Sequence, residues 1–191
     1  MTARTHDLFA FTAMVGGMII LPVPAMNLGT AVSAFAAGFL GGMAPDLDEP
    51  GAQFWQRLPA GAGTILGKIV APVFGSHRFI SHSLLGAVAF GWLAKKALEI
   101  SAGVLVVDQV VVWWAFMAGV GSHLVADALT REGVPLLWPF PIKFGIPPIK
   151  AWRMSTGSWR EKVTFIILVG VNGYLMHLYS DKFVGFVRSL V

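Results

Sequence analysis

The side chains of this chain best able to bind metal recur where an apolar segment meets a polar one. His6 opens the first apolar stretch, Asp46 and Asp48 close the second, and His77 and His82 precede the third. His123 and Asp127 close the fourth, and Glu161 opens the fifth. Threaded up and down through a bilayer, five segments bring all eight to one membrane face. The pattern predicts an all-α fold, a polytopic membrane helical bundle of about five spans with a metal site at one face.

Composition supports the membrane half of that reading. The 191 residues are 55% hydrophobic and only 13% charged, whereas soluble domains carry about a quarter charged residues. Five spans of roughly 20 residues leave room for two loops, so residues 1–191 are expected to form a single membrane-embedded domain. There are no cysteines, which removes thiolate ligands and cysteine nucleophiles and leaves imidazole and carboxylate to hold any metal. The net charge of +4 and pI near 9.7 read as membrane orientation rather than nucleic-acid binding.

The first apolar segment, residues 8–21, ends at Pro22-Val23-Pro24, where proline breaks the helix. Its single leading Arg4 and the want of a small-x-small cleavage site favour a retained first span over a secretory signal. Residues 28–44 contain Gly38, Gly41 and Gly42, which permit close helix approach where lipid gives no hydrophobic drive. Residues 46–81 form a glycine-rich loop with a short interfacial helix expected at 65–73. The third segment, 83–98, ends at Lys95-Lys96, and the fourth, 102–123, is the most apolar. Residues 128–160 are apolar and proline-rich, which excludes a continuous helix and places them on the membrane surface or over the site. The fifth segment, 163–178, leads into a basic tail with Lys182 and Arg188.

Ten basic residues fall on the donor face (Arg4, Arg57, Lys68, Arg78, Arg131, Lys143, Lys150, Arg153, Arg160 and Lys162) against four on the other, Lys95, Lys96, Lys182 and Arg188. The positive-inside rule then puts the site on the cytoplasmic side of the membrane.

Taken singly, each donor has a plain structural reading. His123 and Asp127 lie four apart, one helical turn, which suits two ligands of one ion or a ligand and its orienter, but also a simple helix-end pair. Asp46 and Asp48, between Pro45 and Pro50, are expected in extended backbone that points them opposite ways; the alternative is a solvated acidic turn. His77 and His82 are off-phase for one helical face, so His77 is assigned to the loop and His82 to the first turn after a Ser81 cap. Arg78 suits an anionic oxygen, phosphate above all. Glu161 also reads as the partner of Ser158 in a capping box, and His6 as an interfacial histidine. Jointly, eight donors at one face point to a metal centre, and eight exceed what one four- to six-coordinate ion needs. Two ions, or one ion with a full outer shell and a catalytic acid, are implied.

His6 near the start, Pro45-Asp-Leu-Asp48 with Pro50, His77-Arg78 before Ser81-His82-Ser83, and Gly121-Ser-His-Leu-Val-Ala-Asp127-Ala-Leu-Thr130 running into Gly133-Val-Pro-Leu-Leu-Trp-Pro139 resemble the YdjM-like family of inner-membrane proteins described as metal-dependent hydrolases. Gly157-Ser158 with Glu161 fits that family's last motif. The chain departs where the family pattern has glycine, an apolar residue and threonine, here Phe79, Ile80 and Ser81. The resemblance implies a helical membrane fold and a hydrolase.

On chemical grounds the expected reaction is metal-assisted hydrolysis of a phosphoester, in a membrane lipid. The expected cofactor is divalent Zn2+ or Mn2+, two ions, held by His6, Asp46, Asp48, His77, His82, His123 and Asp127. Asp48, Asp127 or Glu161 would serve as general base, and Arg78 would stabilise phosphoryl charge. No His-Glu-x-x-His or Gly-x-Ser-x-Gly occurs, which disfavours a zincin protease and a serine hydrolase. The rival class is non-catalytic: a metal-ion carrier, which should hold its ligands at the bilayer midplane, or a scaffold with a fully coordinated structural metal.

Overall fold

The computed structural model describes residues 1–21, 26–56, 58–59, 62–70 and 80–190. They form α1 (Ala3–Ile20), α2 (Leu28–Met43), α3 (Gln53–Gln56), α4 (Ala62–Val70), α5 (Leu84–Ser101), α6 (Gln109–Ala128), α7 (Trp159–Leu178) and α8 (Ser180–Ser189). Among the described residues there is no strand, only two isolated bridges, Thr130 with Met154 and Val134 with Phe144. The all-α bundle expected from the apolar segments is therefore the observed fold, with α1, α2, α5, α6 and α7 as its long helices.

Span length follows from chain chemistry. The stretch Leu28–Asp48, which adds a 3-10 turn to α2, and Gln109–Ala128 are each long and apolar enough to cross a membrane. Helices α7 and α8 pass that test together, but with a 73° bend between them. The expected basic tail is this second limb: α8 turns away, and Lys182 donates from Nζ to the Ile19 carbonyl at the end of α1, at 2.7 Å. Helices α1 and α5 are 18 residues each, about 27 Å at 1.5 Å per residue. Their apolar runs are shortened by Arg4, His6 and Asp7 in α1 and by Lys95, Lys96 and Glu99 in α5.

Two local expectations are corrected. Asp46 and Asp48 sit in a 3-10 turn, Ala44–Asp48, not in extended backbone; Pro45 stands at its start, where a missing N–H is harmless. With three residues per turn, positions two apart still diverge, so the two carboxylates do leave in different directions. The cap of α5 is Ser83, not Ser81: its Oγ accepts from Gly86 N at 3.0 Å.

The centre of the bundle is the crossing of α2 and α6, the most extensive helix pairing. A Cβ at Gly41 would lie 2.0 Å from the Phe116 carbonyl oxygen, and one at Gly119 would lie 2.0 Å from that of Gly38. The two backbones therefore touch, as small residues allow where hydrophobic drive between helices is missing. Ala44, Phe90 and Val120 form a buried cluster beside the crossing, with Leu47, Ala87 and Phe116 against it. Trp113 ties α6 to α5 by donating from Nε1 to the Gly91 carbonyl at 2.7 Å.

Gly41→Leu or Gly119→Leu should lower the thermal unfolding midpoint in detergent, with a loss of at least the 1–3 kcal/mol typical of an overpacked interior. Gly16→Ala, where an added Cβ meets nothing within 4 Å, should unfold within about 0.5 kcal/mol of the parent.

Candidate metal centre

Four chain segments meet at one end of the α2/α6 crossing. The first turns of α1 bring His6, the 3-10 turn after α2 brings Asp46 and Asp48, the turn before α5 brings His82, and the last two turns of α6 bring His123 and Asp127. The one-turn spacing of His123 and Asp127 does place both on one face of α6, with His123 Nε2 3.7 Å from Asp127 Oδ2.

Around this pair the donors converge. His123 Nε2 lies 3.4 Å from Asp46 Oδ1. His82 Nε2 lies 3.5 Å from Asp46 Oδ1 and 3.4 Å from Asp127 Oδ2. His6 Nε2 is 3.3 Å from Asp127 Oδ1, and its ring stacks on that of His123 with centroids 3.9 Å apart. Two sets of ligand atoms, His6, His123 and Asp127, and Asp46, His82 and His123, each fall within 4.8 Å of one another. They share His123. Asp127 Oδ1 also accepts from the α-amino group of Met1 at 2.9 Å.

The donor chemistry fits a cation. His123 Nδ1 is 2.6 Å from the Gly42 carbonyl oxygen, which can only accept, so Nδ1 carries the hydrogen. With the ring neutral, its Nε2 presents a lone pair toward Asp46 and Asp127, whose carboxylates are themselves acceptors. Like partners facing each other in a buried site are reconciled by a positive charge between them, and a histidine held by a carbonyl at the far nitrogen is the usual form of a metal-ligating imidazole. His6 Nδ1 is buried with no hydrogen-bond partner among the described residues. His82, His123 and Asp127 are 0% exposed, whereas the Asp46 side chain is 32% exposed. Asp46 marks the side from which solvent reaches the cluster.

Asp48 and Glu161 stand outside both donor sets. Asp48 accepts a short hydrogen bond from Ser81 Oγ and lies behind His82, 3.8 Å from Nδ1. Glu161 clamps the chain start: Oε1 accepts from Thr2 N and Thr2 Oγ, each at 2.7 Å, and Oε2 from Gly157 N at 2.6 Å. The Ser158 cap of Glu161 N, at 3.5 Å, completes the capping arrangement legible in the sequence. His77 and Arg78 lie outside the described residues.

Three contributors escaped sequence reasoning. Ser81 was read as a cap, and its contact with Asp48 across 33 positions has no local signal. The Gly42 carbonyl is backbone and leaves no trace in residue type. Arg153 was counted only as a basic residue, yet it is buried and organises the proline-rich loop, donating from Nε to the Pro147 carbonyl at 2.7 Å and from Nη2 to that of Pro148 at 2.8 Å. That loop is tied to the site end of the bundle through Leu84 N to the Leu136 carbonyl and Ile146 N to that of Ala128. It exposes Phe140, Ile142, Ile146 and Trp152, as suits a membrane surface.

A helical bundle with membrane-length apolar helices and a buried His/Asp cluster at one end defines a membrane protein whose site could hold a metal ion. Its sequence matches the family described as YdjM inner membrane protein over residues 1–184, and the chain belongs to that family. It is 33% identical over 147 residues to the inner membrane protein YdjM of Escherichia coli (strain K12), covering 77% of this chain and 70% of that one. It is 29% identical over 182 residues to YvsG of Bacillus subtilis (strain 168), covering 93% and 96% of the two chains. No solved structure matches.

Glu161→Ala should release the first turn of α1 and loosen His6 without removing a donor. Hydrogen exchange of amides 3–8 is expected to rise about tenfold or more, while that of α6 stays unchanged.

Proposed function

We propose that the protein is a membrane-bound, metal-dependent hydrolase acting on a phosphoester, with a membrane lipid as the substrate class. The observation that carries the proposal is the convergence of the His6, His82 and His123 Nε2 atoms on Asp46 and Asp127, with Asp46 partly exposed beside the otherwise buried cluster. His6, His123 and Asp127 would hold one ion, and Asp46 and His82 would hold a second. Imidazole and carboxylate without thiolate suit Zn2+ or Mn2+. When bound, a divalent cation supplies Lewis acidity toward a phosphoryl oxygen and toward water.

The chain's own residues do the rest. Buried Asp127 faces the imidazoles and holds them in register. Asp46, with a third of its side chain exposed, accepts a proton at the mouth of the site and passes it to solvent. Glu161 has its oxygens engaged by Thr2 and Gly157, so its part is to fix α1 and thereby His6. Asp48 acts through Ser81 on His82. Arg78 remains the proposed partner for phosphoryl oxygens. The exposed Phe140, Ile146 and Trp152 would seat the proline-rich loop among headgroups and give a lipid a lateral route to Asp46. The basic excess on this face supports a cytoplasmic site.

The test is metal content by mass spectrometry on detergent-purified protein, with turnover of p-nitrophenyl phosphate and of phosphatidylglycerol in mixed micelles on the same samples. About two equivalents of Zn2+ or Mn2+ are expected, with metal and at least a hundredfold of turnover lost together in Asp127→Asn and His123→Ala. Full occupancy without turnover of either probe would replace the hydrolase by a scaffold with a structural metal. A parent protein that cannot be loaded would end the metal reading.

A further inference from the structure

We propose that the Ser81 hydroxyl is a positioning group that fixes the tautomer of His82, acting as a relay between Asp48 and the imidazole. The proposal rests on the reading of the cluster as a metal centre, and extends it to a residue outside both donor sets.

The argument is one of proton counting. Ser81 Oγ makes two contacts inside the protein, a short one to Asp48 Oδ2 and one of 2.9 Å to His82 Nδ1. Ser81, Asp48 and His82 are all buried, at 1%, 3% and 0% exposure. A serine hydroxyl has one hydrogen and two lone pairs, and an ionised carboxylate only accepts. The hydroxyl hydrogen therefore goes to Asp48, and the contact to His82 must be made with a lone pair, which requires the hydrogen on Nδ1. In the neutral ring Nε2 is then the lone-pair nitrogen, facing Asp46 and Asp127.

The same end is reached at His123 by simpler means, because the Gly42 carbonyl stands directly against Nδ1. At His82 the Asp48 Oδ2 atom stands 3.8 Å from Nδ1, too far for a direct bond. The hydroxyl fills that gap. The carboxylate–hydroxyl chain also polarises the ring, which raises the basicity of Nε2 as outer partners of metal-ligating histidines do. The neighbouring Ser83 does different work: it accepts from Gly86 N and donates to the Ile80 carbonyl at 2.6 Å, capping α5. It is the built-in control.

The experiment uses 15N-histidine-labelled full-length protein in detergent, stripped of metal, at mildly alkaline pH, with the His82 signals identified by their absence in His82→Gln. Two-bond 1H–15N spectra should show Nδ1 protonated and Nε2 as the lone-pair nitrogen in the parent and in Ser81→Thr. In Ser81→Ala that preference should be lost. Zn2+ titration of the same proteins should show a 10- to 100-fold weaker dissociation constant for Ser81→Ala, and values within about threefold of the parent for Ser81→Thr and Ser83→Ala. An unchanged His82 tautomer in Ser81→Ala would overturn the relay even if Zn2+ still binds. A parent that takes up no Zn2+ while His82 follows Ser81 as described would sink the metal reading and leave the relay standing.

Discussion

The backbone contact between α2 and α6 is the constraint on which the centre depends. Because Gly41 lies against the Phe116 carbonyl and Gly119 against that of Gly38, the helices approach as closely as two backbones can. One turn further along, this closeness puts the Gly42 carbonyl on His123 Nδ1, and past it carries Asp46 to the other nitrogen of the same ring. A side chain at either glycine would separate the two faces of the imidazole from their partners together. Helix packing and ligand geometry are thus one requirement, and the glycines serve the site as much as the fold.

The cluster is expensive to bury without a counter-charge. Asp48 and Asp127 are each 3% exposed or less, and a carboxylate is costly to bury unless partners meet its oxygens. Ser81 Oγ donates to Asp48, and the Met1 amine donates to Asp127 Oδ1. With the rings neutral, the His123 lone pair faces the carboxylates of Asp46 and Asp127. A cation placed between them would meet these acceptors together, and the cluster could hold a metal ion.

How much of this the sequence carried varies with distance along the chain. The five long helices, the His123–Asp127 turn and the Ser158–Glu161 cap depend on spacings of four residues or fewer, and each was legible. The meeting of His6 with Asp127, and of His82 with Asp46, was foreseen only as a shared membrane face, because periodicity gives depth but not neighbours. The roles of Ser81, Gly42 and Arg153 depend on partners that residue type does not announce: a carboxylate 33 positions away, a carbonyl, and two proline carbonyls. The backbone at Asp46 was misjudged because flanking prolines were read as extending the chain, whereas Pro45 starts a 3-10 turn.

The two ends of the bundle show where polarity is tolerated. At the end away from the cluster, Asn27 caps α2 and reaches the Val106 carbonyl, Thr30 Oγ accepts from Asp108 N, and Asp108 caps α6. These are local helix-end bonds that satisfy backbone groups and leave no group directed at an absent partner. Between the ends, the Asn172–Thr12 pair links α7 to α1 with a hydrogen bond of 2.8 Å. It is a polar contact between helices, with no second ligand-type residue beside it among the described residues. A carrier needs ligands at mid-depth and a route to both sides. Here the ligand-type atoms gather at one end, beside Asp46 with a third of its side chain exposed and near a loop with exposed aromatics. Among the described residues, the groups that could hold a metal thus lie at one end of the bundle and do not line a path through it.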